Sequence, residues 1–217
     1  MDYLHFFTHS DSTKIMNTYH TFVDTKTIGG IPNFMNIVSN GSFLIPFLYL
    51  YIIIRKSSKS SKRTQLFLGL ILCLAVSSGY YHTQPTNDTI TLDMLCVISI
   101  YLIVVSYFVT SDVMYLLVVI GISSVLYWNK TRDLRLYELL KIIIPIYCLY
   151  KLHTTRAANY LFPLLFISIA VRLCEYNDSM IYRLTGNTIS GHSLKHIVAA
   201  FQLCVIIRAL QVSGKLN

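Results

Sequence analysis

The chain has 217 residues, of which 54% are hydrophobic and only 13% charged, about half the charged share of an ordinary soluble domain. With a mean hydropathy of +0.55 it has too few charges to build a water-facing surface, which argues against a soluble globular enzyme and excludes a disordered chain, collagen and a coiled coil. The net charge of +8 raises the question of nucleic acid, but the basic residues sit between apolar runs, so no nucleic-acid partner is expected.

Residues 1–30 form a polar, mixed segment without the basic start, apolar centre and small-residue cleavage site of a signal peptide. No cleavage is expected, and the first long apolar run must act as its own insertion signal. Apolar runs follow at Ile37–Ile54, Gln65–Tyr81, Leu92–Val109, Met114–Trp128, Leu139–Leu152, Tyr160–Leu173 and Ser193–Val212. A span needs about 20 residues, so the fourth, fifth and sixth runs are short unless flanking residues join them. The fifth contains Lys141 and Pro145 and the sixth Pro163, which neighbouring helices in a bundle can tolerate. The expectation is an all-α, polytopic membrane protein: one seven-helix domain over residues 1–217, with six spans as the alternative count. Cys73, Cys96, Cys148, Cys174 and Cys204 are scattered through the apolar stretches without CxxC spacing and read as small core hydrophobes.

Orientation follows from the loop after the first run. Arg55, Lys56, Lys59, Lys62 and Arg63 stand there with no acid among them, which marks a cytoplasmic loop and puts the N-terminus outside and, after seven spans, the C-terminus in the cytoplasm. Lys151 and Arg156 agree with this orientation; Lys130, Arg132 and Arg135 fall in an outside loop and dissent.

Ionisable side chains at membrane depth are costly and mark functional sites. Three places stand out. Ser78 and His82 share a helix face at the end of the second run, Asp93 opens the third, and His192 and His196 share a face at the start of the last. In the orientation above all of them fall near the outer leaflet. Three neutral imidazoles and a water make a known catalytic zinc arrangement; Fe, Ni and Cu also accept imidazole. His5 and His9 repeat the i, i+4 spacing in a polar tail with no third ligand near them. The residue after His192 is Ser193, not the Glu of an HExxH site, so a general base must come from elsewhere. Asp93 is the available carboxylate; Glu175 is the reserve, and its stronger reading is that it orients a ligand or caps a helix.

Ser-x-x-x-His (Ser78, His82), the following Asp93 and the final His-x-x-x-His (His192, His196) resemble the signature shared by alkaline ceramidases and the adiponectin and progestin receptors. The likeness is nearest to the ceramidase-like branch that includes many bacterial membrane proteins. It is carried by Gly30–Asn40, Ser77–Asp88, Asp133–Leu140 and Arg183–Ala200, the last being the most specific. The resemblance implies a seven-helix hydrolase in which His82, His192 and His196 hold zinc, Asp93 activates or orients the zinc water, and Ser78 supports the site or stabilises the oxyanion. Animal alkaline ceramidases also carry an N-terminal calcium site. Asp24, Asn33 and Asn36 lie in the corresponding region, but with one carboxylate where calcium prefers several oxygen ligands, and the family's Trp-Cys-Glu segment is missing.

The resulting expectation is zinc-dependent hydrolysis of a ceramide-like membrane lipid to a fatty acid and a sphingoid base. Asp93 takes the proton of the attacking water and Ser78 donates to the oxyanion. Two alternatives stay open: another N-acyl or ester lipid at the same site, and a seven-helix receptor or sensor that keeps the metal for structure.

Overall fold

The computed structural model describes residues 20–57 and 60–216; His5, His9 and Lys59 lie outside the described residues. Described secondary structure is helical: α1 (Phe34–Val38), α2 (Leu44–Lys56), α3 (Lys62–Thr83), α4 (Asn87–Val105), α5 (Ser111–Thr131), α6 (Arg135–His153), α7 (Leu161–Tyr176), α8 (Asp178–Leu184) and α9 (Gly191–Val212), with 3-10 turns at Ser39–Phe43 and Ala158–Tyr160. Among the described residues, six helical stretches are long and apolar enough to cross a membrane, the first running from Phe34 through the 3-10 turn to Lys56. The protein is therefore a multi-pass membrane protein by length and composition. Helix α6 is as long as α4 but is not one of the six.

Local chemistry sets where the helices start. The Ser61 hydroxyl accepts from Thr64 N at 3.2 Å to cap α3. Thr86 and Thr89 cap α4 reciprocally, which starts that helix five residues before its apolar run. The Ser190 hydroxyl accepts from Ser193 N at 3.0 Å to cap α9. Each cap satisfies a backbone donor that has no partner within its helix. Before α1, Ile28 and Ile31 exchange backbone hydrogen bonds around Gly29 and Gly30, whose positive φ angles of 59° and 80° favour glycine.

Interior faces follow the helical period. On α3 the buried stripe is Thr64, Phe67, Ile71, Leu74, Ser78 and His82; on α9 it is Ser193, His196, Ala200, Leu203, Ile207 and Leu210. The polar residues thus continue the core stripes of their helices at one end of the bundle. Beneath them, Phe43, Leu50, Phe67, Ile71, Leu203 and Ile207 belong to one apolar cluster.

The opposite end carries the Arg55–Arg63 loop, and there Arg63 donates to Ser106 O at 2.7 Å while the Thr64 hydroxyl donates to Leu216 O at 3.0 Å. Two of the dissenting charges at the histidine end, Arg132 and Arg135, are locally engaged. Arg132 stacks on Trp128, and Arg135 Nε donates to Asp133 at 2.9 Å. That guanidinium holds the Asp133 carboxyl below its usual range, chiefly by hydrogen bonding.

Candidate metal centre

His82, in the last turn of α3, and His192 and His196, in the first two turns of α9, come together. Their potential ligand atoms all lie within 4.8 Å of one another. The Nε2 atoms of His82 and His192 are 3.2 Å apart. A tetrahedral ion with metal–nitrogen distances of 2.0–2.1 Å separates its ligands by about 3.4 Å, so this edge already has the size of a zinc site. His196 is fixed from behind, its Nδ1 lying 2.9 Å from the buried Ser39 hydroxyl, which leaves Nε2 for the cluster. The Ser42 hydroxyl holds the backbone of the same residue through His196 O. The start of α9 is tied in turn, because His192 N donates to Asp178 Oδ1 at 2.7 Å.

Aromatic rings close the cluster on two sides. Phe22 lies 4.7 Å from the His82 ring and 5.9 Å from the His192 ring, and Phe43 lies 6.3 Å from His196. The segment bearing Phe22 is latched by His20, which bonds both Tyr81 Oη and Asn87 Oδ1. Such a covering lowers the access of water to the rings, though His192 stays partly exposed, and electrostatic interactions beneath it are stronger than in solution.

Ser78 lies one turn before His82 on the same buried stripe, and its hydroxyl acts on the Asp93 carboxylate of α4. Asp93 Oδ1 and His82 Nδ1 are both shielded from solvent and have no hydrogen-bond partner among the described residues. Unpaired buried polar atoms are uncommon and costly, and a carboxylate oxygen of this kind in a bundle with three clustered imidazoles fits a centre completed by a metal and a water. The donors are all imidazole, with no thiolate among them.

Asp24, Asn33 and Asn36 each have hydrogen-bond partners in the fold. Asp24 is fully buried and accepts from Lys26 N, Met35 N and the Tyr182 hydroxyl at 3.2–3.4 Å. Asn36 Oδ1 accepts from the Ser190 and Ser193 hydroxyls, while Asn33 donates its amide to His82 O. The three act as a hydrogen-bonded clasp joining the N-terminal segment, α1 and the start of α9.

Sequence reasoning weighed neither Ser39 nor Phe22 nor Lys195. Lys195 Nζ stands 3.4 Å from His192 Nδ1 and donates to Glu175 Oε1 at 2.9 Å. From there a chain of opposite charges runs through Glu175–Arg172 (3.5 Å) and Arg172–Glu138 (3.1 Å) to Glu138–Lys141 (2.7 Å), linking α9, α7 and α6.

A scan against protein-family models, a search of curated proteins and a search of solved structures each return no match.

Proposed function

We propose that this protein is a metal-dependent intramembrane hydrolase that cleaves an acyl linkage, foremost the amide of a ceramide-like lipid, with His82, His192 and His196 holding zinc. The observation that carries the reading is the convergence of three imidazoles from two helices, in a bundle that also holds a solvent-shielded Asp93 oxygen with no hydrogen-bond partner among the described residues. The choice of a lipid amide rests on the likeness of the Ser78/His82, Asp93 and His192/His196 motifs to ceramidase-like proteins.

When bound, zinc supplies a Lewis acid and lowers the pKa of a coordinated water to roughly 7. Asp93 accepts the proton of the attacking water on Oδ1 and returns it to the leaving amine. Ser78, whose hydroxyl acts on Asp93, supports that carboxylate or donates to the oxyanion. Phe22 and Phe43 keep bulk water from the reacting groups. The substrate reaches the site from the membrane, so its acyl chain stays among apolar side chains throughout.

The architecture belongs to the same proposal: seven spanning helices, N-terminus outside and C-terminus cytoplasmic. Helix α6 supports the seventh span. Its Glu138 is only 8% exposed and paired with Lys141, while Leu139, Ile143, Ile146 and Tyr150 face outward. Its charges therefore point into the bundle and its lipid-facing side is apolar. A protease-accessible tag at the N-terminus that is cut only from the cytoplasmic side would overturn the orientation.

The test of activity is purification in detergent, measurement of bound metal, and assay of fatty-acid release from a panel of ceramide, other N-acyl lipids and ester lipids. Metal-dependent release from ceramide that disappears in His196→Ala is expected. Preferential turnover of another panel member changes the substrate and keeps the chemistry. Stoichiometric metal with no turnover of any acyl lipid would favour a receptor or sensor.

A further inference from the structure

Lys195 is an unexpected neighbour for a metal ligand. A metal-bound imidazole ordinarily gives its second N–H to a carboxylate, a carbonyl or a water, which fixes its tautomer and raises its basicity. Facing His192 Nδ1 there is instead an ammonium, which can only donate. The hydrogen bonds then follow one direction. Lys195 donates to His192 Nδ1, His192 carries its proton on Nε2 and donates to His82 Nε2 at 3.2 Å, and the proton of His82 rests on Nδ1, the atom that has no partner among the described residues. In this arrangement Nε2 of His192 is a donor and cannot ligate. Holding a metal there requires the other tautomer, with the proton on Nδ1 and an acceptor in front of it.

One acceptor stands within reach. Lys195 Nζ bridges His192 Nδ1 and Glu175 Oε1 at 3.4 and 2.9 Å, so a single ammonium spans the gap between ring and carboxylate. Glu175 keeps its other oxygen 3.5 Å from Arg172, which anchors it at the end of α7. Lys195 has a second anion to turn to, since its charge already acts on Asp93.

We propose that Glu175 is the positioning carboxylate of the metal centre, accepting a hydrogen bond from Nδ1–H of His192 when Nε2 holds the metal, and that Lys195 is the group it displaces. The pair works as an exchangeable latch: with Lys195 on Nδ1 the histidines bond to one another, and with Glu175 on Nδ1 they turn to the metal. This rests on the reading of His82, His192 and His196 as metal ligands.

The latch predicts opposite signs for the two halves of one ion pair, whereas a purely structural salt bridge predicts the same sign for both. The full chain in detergent is titrated with zinc against a chromogenic chelator, and with cobalt(II) read by its visible absorption. Glu175→Gln is expected to weaken zinc binding by about tenfold or more, as loss of an outer-sphere partner does, and to alter the cobalt spectrum. Lys195→Met is expected to bind zinc at least as tightly as the parent, with the cobalt spectrum retained. Equal weakening in both variants, or parent-like binding in Glu175→Gln, overturns the proposal while zinc binding by the parent, lost in His196→Ala, leaves the metal-centre reading standing. Failure of the parent to bind either metal overturns both. If Glu175→Gln does not fold, Lys195→Met alone decides: weakened zinc overturns the latch, and retained or tighter zinc supports it.

Discussion

Gly191 offers a test of the site's geometry that leaves every functional group in place. It opens α9 immediately before His192, and a methyl added to it would lie 2.1 Å from Cys174 O, 2.7 Å from Asp178 Cα and 3.0 Å from Asp178 N. Carbon–oxygen contacts settle near 3.3 Å, so Gly191→Ala must push the start of α9 away by more than about 1 Å. The obstructing atoms are backbone at the end of α7 and the start of α8, which cannot rotate aside. Metal–ligand distances tolerate only about 0.2 Å, and His192 is held to the same place by its bond to Asp178. Overpacking of this kind costs about 1–3 kcal/mol. For a chain of this size that lowers the melting temperature by very roughly 2–12 °C, while zinc affinity falls at least tenfold. Gly121→Ala is the control. Its methyl meets Leu102 and Ile98 side-chain atoms at 3.0 and 3.3 Å, which can shift, so it is expected to lower the melting temperature and keep the metal. Chelator competition and thermal unfolding in the same detergent read both effects. Gly191→Ala with parent-like zinc affinity would refute the argument that the close approach of α9 to α7 and α8 sets the ligand geometry.

Ser39→Ala removes the partner of His196 Nδ1 and is expected to cost about 10–100-fold in zinc affinity without unfolding the protein; unchanged chelator competition would remove Ser39 from the site. Asp93→Asn keeps the shape of the carboxylate but not its basicity, so metal content is expected to stay stoichiometric while turnover falls by about 10²-fold or more. Metal loss in that variant would assign Asp93 to structure instead. Phe22→Ala uncovers the outer side of His82 and His192 and is expected to speed removal of zinc by an external chelator, measured as a rate. No change in that rate would show that the Phe22 ring does not guard the centre.

Much of the helix pattern was legible because apolar runs and caps are local. The run at Gln65–Tyr81 lies inside α3 (Lys62–Thr83) and the run at Ser193–Val212 inside α9 (Gly191–Val212), the extra residues being supplied by hydroxyl caps. The short runs at Met114–Trp128 and Leu139–Leu152 grew by taking in flanking polar residues at Ser111–Thr131 and Arg135–His153. Two features resisted. The first span is interrupted by the 3-10 turn Ser39–Phe43, and the short α8 has no apolar run to announce it. At the centre, the histidine cluster was legible because i, i+4 spacing and helix-end depth fix the side chains before any packing is known. Ser39 was not, since it meets His196 across 157 positions of sequence, and only tertiary packing brings them together. Phe22 escaped for the same reason.

The charged residues of α6, α7 and α9 carry the argument one step further. Lys141 interrupts an apolar run, yet Lys141, Arg172 and Lys195 pair with Glu138 and Glu175 in one chain between the helices. Asp93 lies within the field of both lysines. Three cations and three carboxylates then balance, which is the condition under which charges are tolerated at membrane depth. Removing one member leaves its partner's charge without a counter-ion, which destabilises the bundle. A charge count along the sequence reads α6 as a poor span. A charge balance across the bundle reads the same residues as interior, and in that reading the polar end of the bundle is a single electrostatic unit in which the ion pairs fix helices α6, α7 and α9 around the histidines.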